Sequence, residues 1–249
     1  MAKVLLYDFL GSICSQMARL ALAEKGVRYT RQNVDIMETH AQFEPWYVAL
    51  NPKAVVPTLR IDDQIVTDTK DIVARVDSDF DGPPLTPQAP GLMRQMMNDI
   101  MGLHYGVLLY SGGLGPDRTS DTIIARGEML ARLLHENPAM ATLLQGRIDG
   151  NRRFQAILAD ADAVEGHIEA ARALVGTLNQ ALCRHQFVAD AAYSLADTFA
   201  TAALARFRLH GFSHWWQNGQ NPAVAAYLDA MRARPSWEQA GVVDSRDPR

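Results

Sequence analysis

Gly11-Ser12-Ile13-Cys14-Ser15 sets two hydroxyls beside a thiol, at the join between an apolar run and a helical pattern. The run is Val4 to Asp8; after it Ile13, Met17, Leu20 and Ala21 recur at helical spacing. A helix N-terminus has unpaired N–H donors and the positive end of the macrodipole, so it favours anions, thiolates included. A cysteine there is expected to have a depressed pKa and raised reactivity. A serine beside it can donate a hydrogen bond to a bound thiolate. The same residues also have a purely structural account, in which Ser12 caps the helix and Cys14 packs as a small apolar side chain.

Two further segments carry chemistry. Asn51-Pro52-Lys53-Ala54-Val55-Val56-Pro57-Thr58-Leu59 places a proline directly ahead of a strand. If Pro57 is cis, Val56 turns its backbone outward and can pair with an extended peptide as a sheet edge does; a trans proline opening a strand is the plain alternative. Thr67-Asp68-Thr69-Lys70-Asp71 stands where a helix should begin. Its carboxylate can hold an ammonium group and its hydroxyl a carboxylate, with help from the helix terminus. A simple capped helix would use the same residues.

The elements that must position these groups follow from periodicity. Val4–Asp8 reads as a buried strand, and Gly26 after Lys25 stops the first helix. Val27 to Val34 alternates as a second strand, and a helix is expected over Thr39 to Leu50. Thr58–Ile61 and Gln64–Val66 flank Asp62-Asp63 as a hairpin, and a helix opening near Thr69 carries Ile72, Val73 and Val76 on one face. The order βαβ then ββα calls for a mixed sheet with helices packed on it. From Asp77 to Gly91 the chain turns to Pro, Gly and Asp, which is linker chemistry.

Beyond the linker only helices are expected, over Leu92–Leu109, Ser120–Glu136, Leu143–Asp160, Ala161–Arg184, Ser194–His210 and Ala223–Ala233. Gly112 to Pro116 and Asn218 to Pro222 read as loops, and Asp244 to Arg249 as a frayed tail. The stretch from Pro116 to Arg153 is long for a region between neighbouring helices; it either elaborates an interface or covers a cleft.

The chain has 249 residues, 48% of them hydrophobic and 21% charged, a globular mixture with room for two modest domains. A net charge of −4 gives no electrostatic case for nucleic acid or an anionic membrane. Cys14 and Cys183, its two cysteines, fit neither a disulfide framework nor a metal site, so no metal is expected. No stretch approaches the length of a membrane span, and Met1-Ala2-Lys3 leads straight into a strand without a leader pattern. Cytoplasm is the expected location.

Taken together, the order and spacing of Ser12-Ile13-Cys14-Ser15, Val56-Pro57 and Asp68-Thr69 resemble the glutathione transferase superfamily. Tyr193-Ser194-Leu195-Ala196-Asp197 looks like that family's capping box, with Ser194 as N-cap, Asp197 closing the box, and Leu195, Phe199, Ala202 and Ala203 as a buried stripe. Within the superfamily, Ser12 to Ser15, Leu50 to Leu59 (Pro52 departing), Arg232 to Ser236 and Ala240-Gly241-Val242 are similar to the zeta class and its relatives, the reductive dehalogenases of halogenated hydroquinones. Asp68-Thr69 departs from the family's usual Glu-Ser or Gln-Ser, with the chemistry kept.

The resemblance implies an α/β plus all-α fold. A thioredoxin-like, glutathione-binding domain over residues 1–79 would lead through a linker at 80–91 to a helical-bundle domain over 92–249, in a homodimer. It implies glutathione as cosubstrate, with Val56 and Pro57 pairing its cysteinyl backbone and Asp68 and Thr69 holding its γ-glutamyl end. Ser12 would activate the sulfur against an electrophilic, quinone-like carbon, and Cys14 would resolve a glutathionyl conjugate by reduction. Two alternatives stand beside that activity: a maleylacetoacetate-isomerase-like or general conjugating transferase, and a non-catalytic binding or regulatory protein on the same scaffold.

Overall fold

The computed structural model of the chain describes residues 2–113 and 116–245, with the side chains of 112–120 left aside. Its first part runs β1 (Val4–Asp8), α1 (Ile13–Glu24), β2 (Thr30–Asn33), α2 (Pro45–Leu50), β3 (Thr58–Ile61), β4 (Gln64–Val66) and α3 (Thr69–Asp79). The four strands form one mixed sheet in the order β2-β1-β3-β4. Strand β1 pairs parallel with β2, Leu5 opposite Thr30, and antiparallel with β3, Leu6 opposite Leu59. The hairpin β3–β4 sets Leu59 against Val66.

Leu6, Leu20, Ile72 and Val76 bury the faces of β1, α1 and α3 in a core that continues without a break into the helical part, through Met96, Phe199 and Leu204. A thioredoxin-like sheet layer and a helical bundle thus share one interior.

The helical part comprises α4 (Gly91–Met101), α5 (Tyr105–Gly113), α6 (Pro116–Glu136), α7 (Ala141–Ala159), α8 (Ala161–Leu182), α9 (Leu195–Leu209), α10 (His214–Gln217), α11 (Pro222–Arg232) and α12 (Pro235–Gln239). Helix α9 is its axis: Leu195, Phe199, Ala202 and Ala203 are all buried, as the capped stripe requires. The cap is closed from both sides. Asp197 Oδ2 accepts from the Ser194 N–H and hydroxyl at 2.9 Å each, while Oδ1 accepts from the Val188 N–H at 2.9 Å and the Tyr227 hydroxyl at 3.0 Å.

Three elements differ from expectation. The helix expected over Thr39–Leu50 is a 3₁₀ turn, Ala41–Phe43, followed by α2 from Pro45. His40 enters that turn in the left-handed region (φ 54°), and Pro45, lacking an N–H, starts a helix but cannot continue one. The helix expected over Leu92–Leu109 breaks between α4 and α5, where His104 Nδ1 accepts the Val107 N–H at 3.2 Å and caps the second piece. Gly112, Gly113 and Pro116, expected in a loop, lie in α5 and α6; Leu114 and Gly115 fall outside the described residues, as do 246–249 of the expected tail. Helices α10 and α12 are too short for periodicity to reveal.

Residues 80–90, between α3 and α4, hold no helix or strand, yet they are fixed. Leu85 is buried, its N–H donates to Asp77 Oδ1 at 2.8 Å, and its carbonyl accepts from the Leu195 N–H at 2.8 Å. Gly82 (φ 118°) lies so close to the end of α1 that a Cβ would sit 2.8 Å from the Lys25 carbonyl oxygen.

Candidate functional site

Helix α1 begins where β1 ends, and the turn between them is held from below. Asp8 and Arg19, both buried, form an ion pair; Arg31 adds bonds of 3.0 and 3.2 Å to the same carboxylate. Arg19 also donates to the Leu10 carbonyl at 2.9 Å and to the Ala240 carbonyl. Removing one partner from such a pair leaves an unmatched buried charge, so the turn is geometrically constrained. From the helical side, Arg206 on α9 donates to the Gly11 carbonyl, and its Nε is buried without a partner among the described residues. Nothing in the sequence couples Arg206 to Gly11; an arginine in a last helical turn reads as ordinary dipole compensation.

Above this base Ser12 is the N-cap of α1. Its Oγ accepts the Ser15 N–H at 3.3 Å, a long bond. Ser15 is fully buried, its Oγ accepting the Phe9 N–H at 3.4 Å, so of the two hydroxyls only Ser12 is available to a ligand.

Cys14, two residues on, is half-buried and forms no disulfide. Burial pushes its thiol above the ordinary cysteine value; a hydrogen bond from the Thr69 side chain pulls it down, Asp68 adds to the rise, and Arg206 opposes it. The depressed pKa expected from the helix terminus is therefore corrected: desolvation outweighs the stabilising contacts. Tyr105 packs close enough to be coupled to both Cys14 and Arg206. Its hydroxyl donates to the Ile100 carbonyl at 2.9 Å, and burial drives its pKa up. That phenol is committed to structure.

The Val56–Pro57 bond is cis. The loop ahead of it is clamped: Tyr47 OH and Asn51 Nδ2 donate to the Val55 carbonyl at 2.7 and 2.8 Å, and both reach Thr58 Oγ1 at 3.0 Å. Burial raises the Tyr47 hydroxyl to about 12, which keeps it a donor at any physiological pH. Neither backbone polar group of Val56 has a partner among the described residues. Unsatisfied groups of this kind are where an extended ligand can add itself.

Asp68 is the N-cap of α3, accepting the Lys70 N–H at 2.9 Å. Thr69 is buried with its side chain turned to Cys14. Structure thus brings Ser12, Cys14 and Thr69 to one locus, with Asp68 at its edge.

A cleft of about 840 Å³ opens in front of this locus. Ser12 and Val56 line it on the sheet side; Cys14, Pro57, Asp68 and Thr69 do not. The loop residues Ile36, Met37, Glu38, His40, Gln42 and Phe43 form one wall, and Tyr110, Arg126, Met129, Arg132 and Arg147 the other. The second wall comes from α5, α6 and α7, so the long stretch after Pro116 encloses the cleft. Its floor is a small satellite core in which Phe43 and Ala54 meet Leu130, Leu144 and Ile148. A cleft of this volume suits a drug-sized ligand. Periodicity marks α6 as amphipathic but cannot say that its arginine face looks into a cleft rather than solvent.

Phe212, Trp215 and Trp216 are buried in the main core. His104 stacks on Phe154 at 5.0 Å. Among the described residues no group of His, Cys, Asp and Glu could hold a metal ion, and no helix is long and apolar enough to cross a membrane.

Comparison with known proteins bears on this arrangement. Residues 11–79 match the family model for the glutathione S-transferase N-terminal domain. Over 98% of the chain and 97% of the relative, the sequence is 33% identical to the tetrachloro-p-hydroquinone reductive dehalogenase of Sphingobium chlorophenolicum. Among solved structures, the beta-etherase LigF from Sphingobium sp. strain SYK-6 is similar with a TM-score of 0.75 at 20% identity, covering 96% of this chain and 98% of that one. A glutathione transferase homologue from Drosophila mojavensis with bound glutathione has a TM-score of 0.67 at 17% identity over 97% and 94% of the two chains.

Proposed function

The chain belongs to the glutathione S-transferase family, and on that premise we propose that it turns the thiol of glutathione on an electrophilic, halogenated hydroquinone- or quinone-like carbon and clears the conjugate through Cys14. Glutathione is the cosubstrate. The observation that carries the reading is the placement of Ser12, facing the cleft at the start of α1, two residues before the free cysteine Cys14.

In this reading the tripeptide lies extended along the sheet domain of residues 1–79. The free backbone groups of Val56, beside Pro57, pair with its cysteinyl unit, and Asp68 with Thr69 faces its γ-glutamyl end. Ser12 donates to the sulfur and stabilises the thiolate; each two units of pKa lowering corresponds to about 2.7 kcal/mol. The thiolate forms a bond to carbon and halide leaves with the bonding pair. Cys14 then attacks the glutathionyl sulfur. A sulfur–sulfur bond forms, the carbon–sulfur pair passes to the ring carbon, and that carbon takes a proton. Cys14 attacks as the thiolate, and the proton its thiol gives up supplies the one the ring carbon takes. A second glutathione attacks the mixed disulfide and restores Cys14, so two thiols are oxidised for one carbon–halogen bond reduced.

One observation favours a second reading. A buried, protonated Cys14 is a poor nucleophile until something deprotonates it. Isomerisation of a maleyl-type diketone, or plain conjugation, needs Ser12 but no redox cysteine. Assaying a halogenated hydroquinone, a maleyl diketone and a chloronitrobenzene side by side with glutathione decides. Dehalogenated product with oxidised glutathione supports the first reading. Turnover of the diketone alone replaces it with the second, and a folded protein that does not bind glutathione by calorimetry overturns both.

The proposal extends to setting. Two unpaired cysteines suit a reducing compartment such as cytoplasm, and family membership leads to a homodimer, which light scattering on the eluting protein would test.

A further inference from the structure

Helix α6 presents Thr122, Arg126, Met129 and Arg132 to the cleft at spacings that place them on one face. Arg147 joins them from α7, anchored by bonds to the carbonyls of Lys53 and Ala54. Against these three guanidinium groups the cleft offers, among the described residues, one carboxylate, Glu38. None of the ion pairs among the described residues includes Arg126, Arg132 or Arg147. Burial lowers the pKa of Arg147, and the nearby charge of Arg126 lowers it further. Like charges gathered on one wall of a partly apolar cleft oppose each other, and an entering anion relieves that opposition.

We propose that the electrophile itself carries an oxyanion, a carboxylate or a phenolate, and that Arg126 and Arg132 hold it while the ring lies among Phe43, Met129 and Tyr110. This rests on the glutathione reading above and adds the substrate class. The geometry favours it because glutathione belongs on the sheet side, with Ser12 and Val56, whereas Arg126 and Arg132 stand on the wall contributed by the helical part. Guanidinium forks match carboxylate and phenolate oxygens with charge-assisted bonds, and an arginine pair discriminates strongly against the neutral analogue.

The test is calorimetric binding of glutathione and of two conjugates, S-(4-carboxy-2-nitrophenyl)glutathione and S-(4-hydroxy-3,5-dinitrophenyl)glutathione, each with its methyl ester or methyl ether. The probes need no turnover. At least one anionic conjugate is expected to bind the wild-type protein about tenfold or more tightly than its methylated counterpart, the scale of a hydrogen bond to a charged group. Whichever acid loses more on methylation identifies the group. In the double variant Arg126→Gln/Arg132→Gln that preference should fall to about threefold or less, with glutathione affinity shifting less than the anionic conjugate's. Equal binding of both acids and their methylated forms to wild type overturns the inference. So does a loss of glutathione affinity in the variant as large as that of the conjugate, which would assign the arginines to the tripeptide. If the wild type fails to bind glutathione at all, the reading beneath the inference falls with it.

Discussion

Helices α1 and α9 both open with a serine cap, and they use it in opposite ways. At α9, Ser194 and Asp197 are buried, and the carboxylate collects four donors from Ser194, Val188 and Tyr227. The carboxylate of that cap is matched inside the protein on both oxygens. At α1, Ser12 faces the cleft, its bond to Ser15 is long, and Cys14 two residues on is a free cysteine. The first terminus converts hydrogen-bonding capacity into stability. The second leaves that capacity to be completed by a ligand. Both starts pair a serine cap with an apolar first residue, but α9 carries Asp197 where α1 carries Ser15, so the carboxylate that closes the box and the burial around it together separate structure from function here.

The largest expected effect sharpens the contrast at the open end. Cys14→Ser should reduce reductive turnover by roughly 10⁴-fold or more, the scale on which loss of a nucleophile acts, while the glutathionyl conjugate accumulates. Mass spectrometry of the quenched reaction reads this directly; full reductive turnover by the variant removes Cys14 from the chemistry. Next comes the closed end. Asp197→Ala deletes the cap and strands the Val188 N–H and Tyr227 hydroxyl, so a loss of about 3 kcal/mol is expected in chemical denaturation. Native-like stability would mean that the box does not hold α9.

Ser12→Ala tests the comparison most directly. It should cost about 1 kcal/mol of stability or less, since its bond to Ser15 is weak. It should slow conjugation roughly 10- to 100-fold at neutral pH by removing a charge-assisted hydrogen bond, the deficit shrinking as pH rises and glutathione ionises unaided. An unchanged pH–rate profile together with a large stability loss would make the two serines alike, and the comparison would collapse. The smallest effect concerns Cys14 alone. Its raised pKa keeps the thiol protonated at neutral pH, so peptide-resolved alkylation should climb through the alkaline range with a midpoint above the ordinary value of about 8.5. A midpoint below neutrality would show that the helix terminus prevails over burial.

Much of this molecule was legible before any fold was known. The strand and helix runs of the first part, the α1 stripe and the Ser194–Asp197 box depend on neighbours within a few positions, which periodicity and capping chemistry report faithfully, whereas Ser12, Val56-Pro57 and Asp68-Thr69 were joined only by their resemblance to a family. The break at His104 and the short helices α10 and α12 were not legible, because one side-chain cap or a single turn leaves no period to detect. Nor was the state of Cys14. A helix N-terminus argues for an acidic thiol, but burial within the fold raises its pKa against the opposing pull of Thr69 and Arg206, residues far along the chain.

The same reason governs the cleft. Composition puts arginines on α6 and α7, but only the packing of those helices against Phe43 and Ala54 turns them inward, opposite Ser12. Sequence determined which groups can do chemistry and which short segments present them. Tertiary structure decided which of them meet, because burial and charge proximity depend on distances in space that the order of residues does not contain.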